Sequence, residues 1–391
     1  MEWMTGSIGT LALPTIAILS FKADAFDMGL LTALNYAAYP LLGLFAGVMV
    51  DRWRRKPVLV WTNVVQFVAF GSIPLAFFLG VLSLIQLFMV ALVLSVTVVF
   101  FNIAYTSYLP TLISREDVVE GNSKLETSSS VATVVGPGIA GGLIQVFGAA
   151  PSITADAFGT LFAAFAILSI RKHEPHPSPD SERNFWREMK EGFQVVREIP
   201  SLQNLVVATS ILNVGNTMFL AVFFLFVYDE LRMSPLIAGI ALAMGGVGVV
   251  IGAVVAPRLL RKMGLGPVLT TALLINGLGY LAVRASTYGP SAILLALLWL
   301  IANMGIPIYN INQVSFRQTI VPDRLQGRMN ATMRAFSYGA ATLGALIGGV
   351  VGAGYGIQSS MIIGAIVALS AAFLIRFGPI GAVREIPKTT Q

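Results

Sequence analysis

The chain has no cysteine, and only 11% of its 391 residues are charged. The first absence excludes disulfides, thiolate metal sites and cysteine nucleophiles. The second excludes an ordinary water-facing surface, since a soluble domain is roughly one-quarter charged. Histidine is nearly absent too: His173 and His176 are the only two, in the string RKHEPHPSPDSER. Their spacing would suit a metal on a helix, but Pro175 and Pro177 break any such helix, so a solvated loop is expected and no metal. No G-x-x-x-x-G-K-[ST] string occurs, which argues against ATP as energy source, and no zincin or nucleophile-elbow string occurs. Neither enzyme chemistry nor a cofactor is expected.

What is present is apolar. Hydrophobic residues make up 56% of the chain and the mean hydropathy is +0.79. Twelve runs long enough to cross a bilayer follow one another, from Trp3–Leu19 to Gln358–Phe377. The expected fold class is therefore an all-α membrane protein with about twelve transmembrane helices. The first run is short, about 25 Å at 1.5 Å per residue against a hydrocarbon core of about 30 Å. No signal-peptide pattern accounts for it, so either the first helix is short or the chain begins inside it.

Charge sets the orientation. With the N-terminus in the cytoplasm, 22 of the 25 Lys and Arg fall in inner loops, and only Lys22, Arg232 and Arg284 lie outside. Basic residues are retained inside during insertion, so both termini are expected to be cytoplasmic, with the cell membrane as location. The net charge of +6 then reflects topology; spread over short loops, it gives no nucleic-acid surface.

The chain also repeats itself. Residues 101–148 align without gaps to residues 309–356, and Asn102, Ser107, Asn122, Gly136, Gly141 and Gly148 are among the residues that recur 208 positions later. A weaker match sets Gly43 and Gly47 against Gly248 and Gly252. A repeat at half the chain length implies two six-helix lobes, residues 1–170 and 201–391. Between them, residues 171–200 form a cytoplasmic linker. Its Phe185, Met189, Phe193 and Val196 share one helical face, so an amphipathic helix is expected, lying on the membrane surface or docked on protein.

After span 2 the sequence reads GVMVDRWRRK from Gly47 to Lys56. It resembles the G-x-x-x-D-R-x-G-R-K signature of the major facilitator superfamily, with Arg54 in place of the second glycine. YLPTLISREDVVEGNSKLE, the Gly-Pro-rich fifth span, ITADAFGTLF and RQTIVPDRLQGRMNATMR look like the macrolide-efflux and enterobactin-exporter branch. The resemblance implies alternating access between two lobes. It assigns Gly47, Asp51, Arg52, Arg55 and Lys56 to a gate locking the cytoplasmic side. The plainer alternative is that these basic residues only anchor a hairpin. In span 5, Gly136, Pro137 and Gly141 resemble the antiporter signature G-P-x-x-G-G, with Ala140 departing from it. Such a helix could seal the lobe interface, or simply pack closely.

Asp156 is the only acid well inside a span, and an ionisable group there is a candidate proton carrier or a hydrogen-bonded tie to a neighbouring helix. Asn35, Asn63, Gln66, Asn213, Asn216, Asn303 and Asn310 are candidates to line a passage, or to bond between helices. Three functions remain open. The first is a proton-coupled exporter of drug-like or siderophore-like amphiphiles; the others are a nutrient symporter and a non-transporting sensor or scaffold. The expected partners are a small-molecule substrate, protons and the lipid bilayer, with the chain acting as a monomer.

Overall fold

The computed structural model describes residues 2–112, 117–172, 174 and 185–384, and every regular element among them is helical. In chain order these are α1 (Glu2–Phe21), α2 (Ala25–Arg52), α3 (Arg55–Phe78), α4 (Leu84–Leu112), α5 (Val118–Phe147) and α6 (Ala149–Ser169). There follow α7 (Phe185–Glu198), α8 (Pro200–Leu225), α9 (Pro235–Met263), α10 (Leu265–Val283), α11 (Ser291–Ile320), α12 (Asp323–Tyr355) and α13 (Ile357–Phe377). Ten of them are long and apolar enough to span a membrane. Adding α1, whose apolar part is Ser7–Phe21, and α2 gives twelve spans; α7 is the polar exception.

Several helices run past the apolar limits read from the sequence. Span 11 reads as starting near Ala331, yet α12 starts at Asp323, because Pro322 breaks the helix and the charged turn after it does not. Likewise Arg317, expected in an inner loop, sits buried in the last turn of α11.

The chain folds as two compact units. The first comprises Met1–Ala23, Leu34–Arg183 and Ser234–Ala243; the second comprises Asp24–Ala33, Asn184–Met233 and Met244–Gln391. In the first unit α3 packs along α6 and α4, and α1 packs on α5 and α6. In the second α8 packs on α12 and α13, and α10 on α11 and α13. Its core holds a stacked aromatic set: Phe219 lies 4.2 Å from Tyr280 and Phe223 lies 4.4 Å from Trp299, centroid to centroid.

The sequence repeat is a repeat of geometry. Gly148 and Gly356 turn α5 into α6 and α12 into α13 with φ of 86° and 90°, a backbone region open to glycine at little cost. Their amides close matching bonds, Gly148 to the Ile144 carbonyl and Gly356 to the Gly352 carbonyl. Gly141 lies against Gly239 of α9 within the first unit, and Gly349 lies against Gly29 of α2 within the second. Gly29 and Gly239 are themselves equivalent, at an offset of 210. So are the left-handed residues before them, Lys22 at φ 55° and Arg232 at φ 51°. The amides of Ala23 and Met233 return to the carbonyls of Ala17 and Val227, again 210 apart. At the start of α2, Asp24 and Asp27 accept each other's backbone N–H, a capping box.

The linker helix α7 docks on α12 within the second unit. Glu191 pairs with Arg328, Phe193 stacks on Phe336 at 6.5 Å, and Val196 is buried. Docking on protein is thus the arrangement seen; the side chains of Phe185 and Met189 lie outside the described residues. Elsewhere apolar side chains stay exposed in stripes. Trp61, Val68 and Leu75 mark one on α3, and Phe158, Phe162 and Phe165 mark one on the neighbouring α6. Spacing of three, four and seven along a spanning helix identifies the face turned to lipid.

Candidate functional site

The motif between α2 and α3 poses a capping problem. The residue before α3, Arg54, has extended backbone and a side chain that accepts nothing, so the first N–H groups of α3 need an acceptor from elsewhere. Glu174 supplies it from beyond α6. Its carboxylate accepts the backbone N–H of Arg55 at 2.6 Å and of Lys56 at 3.1 Å, and lies 3.7 Å from the Arg55 guanidinium. The reciprocal tie comes from Lys56, whose Nζ donates to the carbonyls of Leu168 and Ile170 at the end of α6. One carboxylate therefore sits at the positive end of α3 and one ammonium at the negative end of α6, each favoured by the helix dipole it faces. Lys172 extends the clamp to the last carbonyl of α4, Leu112, at 2.8 Å.

Of the five gate candidates, Arg55 and Lys56 belong to this clamp and Arg52 is exposed. The Asp51 side chain lies outside the described residues. A Cβ at Gly47 would meet nothing within 4 Å, so packing does not require glycine there. Glu174 was missed by sequence reading because an acid among prolines looks like solvated coil. The available signal was the uncapped start of α3, with no Ser, Thr, Asp or Asn beside it. Glu174→Ala is expected to cost about 2 kcal/mol, since it strips a cap and leaves Arg55 without its carboxylate. A melting temperature in detergent lowered by several degrees, with a smaller loss for Glu174→Gln, would show it. An unchanged melting temperature would reject the clamp.

Asp156, in α6, is completely buried. One carboxyl oxygen accepts the backbone N–H of Gly9 in α1, and Oδ1 has no partner among the described residues. No ion pair reaches it among the described residues. Gly9 makes the approach possible: a Cβ there would stand 2.8 Å from the Phe70 ring and 3.0 Å from the Asp156 carboxylate. Asp156 is thus both a tie between α6 and α1 and a carboxyl with an unused oxygen inside the membrane span.

Glycines also shape α5. A Cβ at Gly141 would lie 2.5 Å from the Pro235 carbonyl oxygen, and one at Gly239 would strike the Pro137 carbonyl. Gly136 faces Ser7 of α1. These three positions thus bring α5 to backbone contact with α9 and close against α1.

The polar candidates divide between the two units, Asn35, Asn63 and Gln66 in the first and Asn213, Asn216, Asn303 and Asn310 in the second. Asn63 is buried and bonds its own helix at Leu59, while Gln66 beside it reaches Thr97 of α4 at 3.2 Å. Asn213 and Asn303 also bond back within their own helices, to the carbonyls of Thr209 and Trp299. Asn216 is buried with its Oδ1 unpartnered, whereas Asn35 and Asn310 are exposed. A further polar group, not anticipated, lies in α11. Tyr309 bonds Thr209 at 2.8 Å, near buried Asn312, Gln313 and Arg317. His173 and His176 lie outside the described residues.

A family model described as Major Facilitator Superfamily matches residues 1–338 and 205–390. Enterobactin exporter EntS of Escherichia coli O1:K1 is 24% identical over 357 residues, covering 89% of this chain and 82% of that protein. Macrolide efflux protein A of Streptococcus pyogenes is 24% identical over 197 residues, covering 49% of each. The chain thus spans about half the length of the macrolide efflux protein it matches. Among solved structures, the nucleoside transporter NupG superposes with a TM-score of 0.78 at 14% identity, covering 96% of this chain and 95% of that one. A bacterial homologue of the iron transporter ferroportin gives 0.74 at 16% identity, covering 96% of both.

Proposed function

The chain belongs to the Major Facilitator Superfamily, which makes it a multi-pass membrane transporter and not an enzyme, and from that premise we propose that it exports small amphiphilic molecules by proton antiport. The observation that carries the coupling is Asp156. A buried carboxyl held by one backbone N–H, with its other oxygen unpartnered, is a group whose proton can be exchanged without breaking an ion pair. The outward direction is supported by relatives named for efflux and for enterobactin export.

In this reading the working lobes are residues 1–170 and 201–391, joined by 171–200, and the equivalence of Gly141–Gly239 with Gly349–Gly29 supports that division. The clustered basic ends face the cytoplasm of the plasma membrane. Asp51, Arg52, Arg55 and Lys56 bias the gate while the last two also hold α3 to α6.

Inverted membrane vesicles with an imposed pH gradient test the proposal. A panel of macrolides, catecholate siderophores and other amphiphiles should include one compound that accumulates inside, with protons released outward. Accumulation driven the other way would indicate symport, and no transport of any compound would favour a sensor or scaffold. Because the chain has no cysteine, single cysteines introduced at Pro57 and Met263 should be labelled from the medium in the same vesicles. Protection of both would overturn the orientation.

A further inference from the structure

Beside the α3–α6 clamp, within the first unit, lies a cavity of about 390 Å³. Arg54, Lys56, Arg171 and Lys172 supply four cationic groups to its wall, and among the described residues Glu174 is the one acid there. That acid is already satisfied: its side chain is 5% exposed and its carboxylate is held by two backbone N–H groups and Arg55. Lys56 and Lys172 donate to neutral carbonyls and keep their charge, so together with Arg171 they leave the described wall positive even with Arg54 engaged. The remaining wall is apolar, formed by Pro57, Leu168 and Ile170.

Those apolar residues connect the cavity to the membrane. Pro57 is one helical turn from Trp61, which is 68% exposed at the head of the α3 stripe. Leu168 lies one turn from Phe165, the last aromatic of the α6 stripe, and both are exposed. A tryptophan at this depth is characteristic of the level where acyl chains give way to headgroups. Basic groups thus close one end of a groove whose sides are lipid-facing and apolar.

We propose that this cavity is a binding site for the phosphate headgroup of an anionic phospholipid, with its acyl chains lying along the α3 and α6 stripes. A soluble phosphate would use the cations but not the groove; a zwitterionic lipid would use the groove but forfeit much of the charge. Basic pockets between spanning helices suit anionic headgroups for this reason, and each Lys or Arg near the surface adds to the attraction.

The test uses the full-length purified protein, delipidated in detergent and titrated with phosphatidylglycerol or phosphatidylcholine, bound lipid being counted by native mass spectrometry. The first phosphatidylglycerol should bind well ahead of phosphatidylcholine. Arg171→Gln should weaken that first binding by about 5-fold, the factor expected for one surface charge. This side chain is chosen because Lys56, Lys172 and Glu174 hold helix ends and Arg54 has a partner of its own, and an unchanged melting temperature checks the fold. Arg261→Gln, which removes one charge from α9, should leave the first binding unchanged. Equal binding of the two lipids, equal losses in the two variants, or no loss in the first would each overturn the proposal. Glycerol 3-phosphate at millimolar concentration should fail to displace the lipid; if it competes fully, the site is one for soluble phosphate and the lipid assignment falls.

Discussion

Asp156→Asn is expected to abolish gradient-driven accumulation while downhill exchange of substrate survives. The amide keeps the shape of the side chain and can still accept the Gly9 N–H, but it cannot exchange a proton at neutral pH. Vesicles measured with and without the imposed gradient separate the two activities. Asp156→Leu removes the acceptor as well, leaving Gly9 without that partner. It should therefore also lower the melting temperature, by an amount corresponding to about 1–3 kcal/mol. If Asp156→Asn accumulates substrate fully, the carboxyl serves only to tie α6 to α1, and coupling must be sought elsewhere. Asp27, otherwise an obvious alternative, is occupied in the capping box of α2.

The second large effect concerns the paired glycines. A methyl group added at Gly141 would stand 2.5 Å from a backbone oxygen, and one at Gly29 would stand 2.5 Å from the Gly349 Cα. Backbone cannot turn aside as a side chain can, so Gly141→Ala and Gly29→Ala should each cost about 2–3 kcal/mol, the upper range for overpacking. Gly138 is on the same helix as Gly141, and a Cβ there would meet nothing within 4 Å. Gly138→Ala should therefore be neutral or stabilise by up to about 1 kcal/mol through helix propensity. Melting temperatures of the three variants check this opposition of sign. Equal effects at 138 and 141 would mean that the crossing is looser than the geometry indicates.

How far the sequence disclosed this molecule depends on what each contact requires. The 208-residue repeat was legible because its glycines are held by backbone contacts and positive φ, which tolerate few other residues. The equivalent turns before Gly29 and Gly239 were not legible. They need one residue able to enter the left-handed region, one amide returned to the preceding helix and one glycine. Lys22 and Arg232 meet the first demand with different side chains. The depth of Asp156 could be read from the apolar run around it, but its partner could not, since a backbone N–H has no letter of its own. Asn213 and Asn303 illustrate another limit. Each bonds a carbonyl four residues back in its own helix, a choice that leaves the pattern unchanged whether or not a passage runs beside it. Glu174 escaped because its role is defined by the uncapped end of a helix 118 residues earlier.

The tie between Gly9 and Asp156 also has a consequence for biosynthesis. The two residues are 147 positions apart. At a synthesis rate of about 5–20 residues per second, α1 waits roughly 7–30 s for the carboxyl that accepts its amide. Over the same interval the site that α6 will cover on α1 remains open to the membrane or to the insertion machinery. The α1 helix thus gains this partner only once α6 is made, and a ribosome paused before residue 156 would leave behind a nascent chain in which the Gly9 amide lacks its acceptor.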